Sequence, residues 1–202
     1  MTLTLTHTAG LGPGERREIR ALLDAAFDGD FADEDFEHAL GGMHVLLREG
    51  DPDDPHDTHD PNGPNGPNGP AGSAGALVAH GSVVQRRVLH GGRALRTGYV
   101  EAVAVRSDRR RRGLAGQVMA ELERVIGGAY VLGALSASEA GAALYEGRGW
   151  RPYPGRIGVL GPTGPERLAD EEGSTYVWTP AGAAPPDPTG RLDFDWRDGD
   201  VL

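Results

Sequence analysis

The sequence predicts an α/β fold of the mixed α+β kind, and three observations predict it. Short runs with apolar residues at every second position recur along the chain, the pattern of half-buried strands. Between them lie stretches with apolar residues three and four apart, the pattern of amphipathic helices. The chain has 202 residues, enough for one good core, so a single domain spanning 1–202 is expected.

Thr2 to His7 alternates and reads as the first strand. From Glu15 to Phe27, the residues Ile19, Leu22, Leu23, Ala26 and Phe27 form a helical stripe. Phe31 to Leu40 reads as a second, short helix that Gly41 and Gly42 break, and Met43 to Leu47 as the second strand. Asp51 to Gly75 holds an acidic, proline-rich run followed by PNG repeats from Pro61 to Pro70. That composition predicts a disordered surface insertion between two hairpin strands. Ala76 to Leu89 is a long strand, Gly91 and Gly92 its turn, and Leu95 to Val105 the next strand. There Tyr99, Glu101, Val103 and Val105 share one face, and Val100, Ala102 and Ala104 the other. Leu114, Val118, Leu122, Val125 and Ile126 mark an amphipathic helix, with Met119 beside the stripe. Tyr130 to Leu135 is a further strand. Ser136 and Glu139 have the spacing of a capping box, opening a helix that runs past Tyr145 and ends at Gly149. Trp150 to Leu160 and Ser174 to Trp178 are the last strands expected, joined by a connection rich in glycine, proline and acids.

Composition removes several function classes. With no cysteine, disulfides, thiolate metal sites and an acyl-cysteine relay are excluded. No apolar run approaches the roughly 20 residues that span a bilayer. MTLTLTHTAG lacks the basic flank and long apolar core of a secretory signal, so a cytoplasmic protein without membrane partners is expected. The formal charge is −10, and all twenty basic residues are arginine, a usage that fits a GC-rich genome. Five of the thirty acids (Asp51, Asp53, Asp54, Asp57 and Asp60) fall in the insertion, leaving 25 acids against 20 bases elsewhere. That sign favours a cationic partner over nucleic acid. His56 and His59, with Asp57 and Asp60, could be read as a metal site, but a floppy segment pays too much ordering entropy for one. No metal is expected. His7, His38, His44, His80 and His90 show no ligand spacing and read as structural.

The most informative stretch is YVEAVAVRSDRRRRGLA, Tyr99 to Ala115. An alternating run ends in arginines and in Arg110-x-x-Gly113-x-Ala115, followed at once by a helical pattern. A strand feeding a loop of backbone N–H groups at a helix N-terminus is a pyrophosphate cradle. The motif resembles the acetyl-CoA signature of the GNAT superfamily of N-acetyltransferases. Further segments carry a narrower resemblance: AAFDGDF from Ala25, LGGMHVL from Leu40, GYVEAVAVR from Gly98, GAYVLGALS from Gly128, LYEGRGW from Leu144, GPTGP from Gly161 and the tail DFDWRDGDVL. In this order, and apart from the PNG insertion, they resemble the aminoglycoside 2′-N-acetyltransferases over nearly the whole chain. The chain departs from that family in its long hairpin insertion and in Leu202, where the family often has tryptophan.

The resemblance implies a GNAT fold, a mixed central sheet splayed where acetyl-CoA enters, with helices on both faces, and a homodimer. It implies that Arg110, Arg111, Arg112, Gly113, Leu114 and Ala115 hold the CoA pyrophosphate, and that the backbone of Val103, Ala104 and Val105 pairs with the pantetheine arm like an added strand. Val103 N–H is then a candidate donor to the oxyanion. Glu101 is a carboxylate among apolar residues, costly without a partner or a task. The resemblance makes it the general base, acting through a water, and the alternative is an ion pair with an arginine. Tyr145 is by resemblance the general acid for the departing thiolate, and otherwise a core tyrosine. Trp150 reads as packing. A polycationic aminosugar needs several carboxylates in place of water. The resemblance assigns Asp30, Asp200 and a terminal carboxylate at Leu202 to it, with Asp170 and Glu171 as further candidates. Asp35 is a candidate too, or simply a helix cap, and backbone groups of Ala102 and Ser136 line the reacting amine.

Other readings stay open on the residues alone. The acceptor could be another cationic amine, such as a polyamine, a peptide or a cell-wall amino sugar. Arg106 to Arg112 could instead form a nucleic-acid-binding module, with salt-dependent binding, against which the acidic balance argues. A cofactor-binding protein without catalysis is a third, disfavoured by the presence of Glu101 and Tyr145.

Overall fold

Threonine, leucine and histidine alternating from the second residue build β1 (Thr2–His7), which pairs antiparallel with β2 (Met43–Glu49) from Thr2↔Arg48 to His7↔Met43. The computed structural model describes residues 1–50 and 75–202. The insertion, with the candidate metal residues His56, Asp57, His59 and Asp60, lies outside the described residues apart from Gly75. Among the described residues the fold is mixed α/β, ten strands and four α-helices. The helices are α1 (Pro13–Ala26), α2 (Asp33–His38), α3 (Leu114–Ala129) and α4 (Glu139–Gly147).

The chain forms two compact units. The first comprises Met1–Ser82 and Ala102–Glu121, the second Val83–Glu101 and Leu122–Leu202. The long strands β3 (Ala76–His90) and β4 (Arg93–Val105), and the helix α3, contribute residues to both.

In the first unit α1 begins at Pro13, whose missing N–H costs nothing at a helix start, and Glu15 accepts from Gly12 N–H at 3.0 Å. Its apolar face (Ile19, Leu22, Leu23) is buried with Leu11, Leu46, Leu77 and Ala104, and Phe31 and Phe36 close over this cluster. Arg20 pairs with Asp24 one turn on in α1 and holds α1 to the following segment through Asp33, each at 2.7 Å, and lies over the Phe31 and Phe36 rings.

In the second unit the sheet runs β6-β9-β5-β4-β3-β10-β7-β8. Here β5 is Leu132–Ser136, β6 Arg151–Pro152, β7 Arg156–Gly161, β8 Gly164–Arg167, β9 Thr175–Trp178 and β10 Arg191–Asp195. Gly91 and Gly92 both have positive φ (55° and 75°), the geometry of a tight two-residue hairpin turn between β3 and β4. The parallel ladder of β4 with β5 comprises Thr97↔Leu132, Gly98↔Gly133 and Tyr99↔Ala134. Tyr99, Ala134, Ile157, Leu192 and Phe194 make the centre of this core.

Several sequence expectations are corrected here. The cap of α4 is Ser138, whose hydroxyl accepts from Gly141 N–H at 3.3 Å, not Ser136, whose hydroxyl bonds Glu171 instead. Trp150 to Leu160 is not one strand, because Pro154 and Gly155 separate β6 from β7. The connection before β9 holds a strand, β8, and a single 3₁₀ turn (Ala169–Glu171). Met119 is buried in the core rather than flanking the stripe. The alternation through β4 is broken at Ala102, whose φ of 53° is left-handed. The two predicted faces therefore do not run continuously across that residue.

Candidate functional site

The first unit carries the arginine-rich loop. Beyond Val105 the chain makes a 3₁₀ turn (Ser107–Arg109), then passes through left-handed Arg111 (φ 61°) and Gly113 (φ 78°) into α3. Leu114, buried, anchors the first turn of α3. The first N–H groups of a helix have no partner within it, and they carry the positive end of its dipole. Arg106 and Arg109 are engaged by carboxylates: Arg106 by Asp108 at 2.7 Å, Arg109 by Glu49 and Asp108, both at 2.7 Å. Arg110 differs. It donates to two main-chain carbonyls, Ala26 at 3.2 Å and Val105 at 3.4 Å, neutral acceptors that occupy two of its five N–H groups. Arg111 and Arg112 are exposed. Among the described residues, a helix start, guanidinium groups that are exposed or bonded to neutral carbonyls, and space around Gly113 form a donor set that fits a pyrophosphate.

The same unit holds Ala102 in its left-handed conformation, which costs a residue with a Cβ about 1–3 kcal/mol. Its carbonyl meets His80 Nδ1 at 2.9 Å, His80 Nε2 meets His44 Nδ1 at 3.0 Å, and His44 Nε2 meets the Thr8 hydroxyl at 2.8 Å. Both imidazoles are buried. Burial, reinforced by His7 and Arg16, lowers the His44 pKa to about 4. Burial and then His44 lower that of His80 to about 3, against the opposing Ala102 hydrogen bond. Both rings are neutral at physiological pH. The unfolded chain takes up these protons near pH 6.5 and the folded chain only far below. The pair therefore stabilises the fold fully above roughly pH 6.5, and that contribution is lost as the pH falls towards about 4. Urea midpoints taken at about pH 7 and about pH 5 are expected to fall less in His44→Asn than in the parent chain. An equal fall in both chains would remove the pair as a source of acid sensitivity.

In the second unit Glu101 forms a short ion pair with Arg197, both mostly buried. The guanidinium of Arg197 also donates to Val201 O at 2.8 Å and lies 5.4 Å from the Tyr99 ring centroid. Arg86, buried, bonds Asp195 at 2.8 Å and Val201 O at 2.6 Å and covers the same ring. Two arginines thus grip the Val201 carbonyl, and Leu202 packs on the core cluster around Tyr99. Burial, and next Glu101, push the Tyr99 phenol up, so it stays protonated. Tyr145, on α4, is 9% exposed, and burial pushes its phenol up to about 12. Its ring meets Trp150 edge-on at 6.4 Å and lies 6.4 Å from Tyr176. Glu171 receives the Ser136 hydroxyl at 3.1 Å and the Ser174 hydroxyl at 2.8 Å, which fix its carboxylate.

A GNAT acetyltransferase family model matches residues 71–153. An aminoglycoside 2′-N-acetyltransferase of Mycolicibacterium fortuitum is 44% identical over 203 aligned positions, covering 99% of this chain and 91% of that protein. The chain belongs to the aminoglycoside 2′-N-acetyltransferases. Solved structures agree on the fold. The GNAT family N-acetyltransferase YhbS of Escherichia coli, determined in complex with CoA, matches 96% of this chain and 88% of its own with a TM-score of 0.60 at 17% identity. Eis1 from Mycobacterium abscessus matches 76% of this chain with a TM-score of 0.54 at 15% identity, and the match spans only 33% of Eis1.

For an aminoglycoside 2′-N-acetyltransferase the remaining candidates divide clearly. Asp30 is exposed in a loop, Asp170 on the 3₁₀ turn before β9, and Asp200 in the tail. Asp35 accepts from Ala32 N–H at 2.9 Å and so caps α2, the alternative left open for it. Glu101 has the arginine partner that its own alternative reading foresaw. Sequence reasoning missed Arg197, Arg86 and the His44–His80 pair. The LDFD alternation of β10 could have flagged the tail as a strand with Arg197 just beyond it. Nothing in the sequence brings His44 to His80 across 36 positions. Among the described residues no group of three or more histidines and acids could hold a metal, and no helix is long and apolar enough to cross a membrane.

Proposed function

We propose that this chain transfers the acetyl group of acetyl-CoA to the 2′-amino group of aminoglycosides by direct attack, both substrates being bound together. The observation that carries this is the near-full-length identity to the M. fortuitum enzyme. Acetyl-CoA supplies an activated acyl thioester. The loop Arg110–Ala115 binds its pyrophosphate, and the main chain of Val103, Ala104 and Val105 bonds the pantetheine arm. Val103 N–H steadies the negative charge that develops on the thioester oxygen. Glu101, working through a water, removes a proton from the 2′-ammonium so that the free amine can attack. Arg197 fixes the position of the Glu101 carboxylate. As the C–N bond forms and the C–S bond breaks, Tyr145, kept protonated by burial, gives a proton to the leaving thiolate; the attacking nitrogen's second proton restores the phenol through solvent, and Glu101 releases the first to solvent. Asp30, Asp170, Glu171 and Asp200, with the tail around Leu202, receive the other ammonium groups, and Glu171 is the one already held by two hydroxyls. Ala102 and Ser136 supply backbone groups to the amine, and Asp35 serves as a cap. In this reading residues 1–202 work as one acetyltransferase domain, in a cytoplasmic homodimer that confers antibiotic resistance.

The test is CoA thiol release from acetyl-CoA with tobramycin, set against acceptors that lack the 2′-amine. Release with the first and none with the others is the expected result. Equal release from both, or turnover confined to polyamines or peptides, would overturn it.

A further inference from the structure

The Ala102–Val103 peptide is held from behind, and the holding chain has a fixed direction. A main-chain carbonyl can only accept a hydrogen bond, so His80 must carry its proton on Nδ1 to bond Ala102 O at 2.9 Å. A neutral imidazole has one N–H, so His80 Nε2 accepts, and His44 donates to it from Nδ1 at 3.0 Å. His44 Nε2 then accepts from the Thr8 hydroxyl at 2.8 Å. The single Thr8 hydroxyl proton has two acceptors in reach, His44 Nε2 at 2.8 Å and Gly42 O at 3.2 Å, and the shorter contact takes it, while Gly41 N–H and Gly42 N–H donate to the Thr8 oxygen at 2.8 and 3.2 Å. Thr8, His44 and His80 are all buried, so the relay excludes water along its length.

The peptide group is planar and trans, so its C=O and N–H point in opposite directions. With Ala102 O aimed at His80 on β3, Val103 N–H is aimed away from β3. The ladder agrees. Arg106 N–H donates to Val78 O on β3 at 2.9 Å, and alternation along a strand turns Val103 N–H to the opposite side. A hydrogen bond to the carbonyl also polarises the peptide and strengthens its N–H as a donor. The left-handed φ of Ala102 is the conformation that needs outside support, and His80 provides it.

We propose that His80, backed by His44 and Thr8, is a positioning residue for acyl transfer: it orients and polarises the Ala102–Val103 peptide so that Val103 N–H meets the charge developing on the thioester oxygen. This deepens the proposed function and rests on its assignment of Val103 N–H.

The two readings fail separately. In the parent chain, nitrogen NMR of the histidine rings is expected to find His80 as the Nδ1–H tautomer, and the Val103 amide resonance to shift in His80→Leu. These readouts need no turnover, so a parent chain that fails to acetylate tobramycin defeats the proposed function and leaves them standing. In an active parent, His80→Leu and His80→Gln are expected to lower kcat about tenfold to a hundredfold while the KM for acetyl-CoA holds. His80→Asn, whose amide N–H sits where Nδ1 does, is expected to recover most of that loss. An Nε2–H tautomer in the parent chain, parent-like kcat in His80→Leu, or an Asn variant no better than Leu would each overturn the proposal. Should the leucine variant not fold, the parent tautomer decides.

Discussion

Replacing Tyr145 with phenylalanine is expected to lower kcat by about 10²- to 10⁴-fold, the range for losing one general acid, with the KM for aminoglycoside nearly unchanged. The substitution isolates the hydroxyl because the ring does the packing. It meets Trp150 and Tyr176, and a Cβ on Gly141 would come within 3.1 Å of it, so phenylalanine keeps the same seat. The phenol, pushed up to about 12, is fully protonated at neutral pH, while an ordinary thiol ionises near 8.5. The phenol is the weaker acid of the two, so what it offers the departing thiolate is a hydrogen bond along which the proton passes as the C–S bond breaks and the attacking nitrogen loses its own proton. Steady-state kinetics with unfolding midpoints measured alongside would check this. Parent-like turnover in a well-folded Tyr145→Phe would take the residue out of the chemistry and return it to the core tyrosine of the alternative reading.

Trp150→Ala is expected to cost about 3–5 kcal/mol of stability, the usual range for emptying a large aromatic site. Trp150 is fully buried and stacks on Trp178 with ring centroids 6.1 Å apart. Its indole N–H donates to Glu123 at 2.9 Å, and the same carboxylate takes two bonds from Arg148, at 2.8 and 2.6 Å. Gly133 of β5 leaves room for this ring, since a Cβ there would sit 2.9 Å from Trp150 Cη2. The alanine variant therefore loses packing and strips a hydrogen bond from a half-buried acid together. Trp150→Phe, which keeps most of the volume, should lose markedly less. Urea unfolding of both variants measures the difference, and an alanine variant as stable as the phenylalanine one would contradict it.

Much of the fold was legible because burial imposes periodicity. The alternation of Thr2–His7 matches β1 residue for residue, and the stripe of α3 holds apart from Met119, which lies three residues before Leu122 and seven before Ile126 and is fully buried with them. What was misread depended on local competition or on distance. Ser136 and Ser138 both precede a helix, and only tertiary contact with Glu171 decides which hydroxyl stays to cap it. Pro154 and Gly155 were visible breakers, yet the apolar run on either side outweighed them. Among the candidates, Glu101 stands out as a carboxylate among apolar residues and Asp35 as a helix opener, while Tyr145 is marked only by the family resemblance. Arg197 and His80 did not, since an arginine in an acidic tail and a histidine in a strand look ordinary until their partners arrive from far along the chain.

The cation that accompanies Glu101 is a guanidinium. A lysine in that seat would set beside the proposed base a primary amine of the kind an acetyltransferase consumes, one that can shed its proton and attack a thioester. Arginine stays charged and poorly nucleophilic, so Glu101 is accompanied by a cation that is no rival acceptor. The chain contains no lysine anywhere, so its side chains hold no primary amine that its own chemistry could mark.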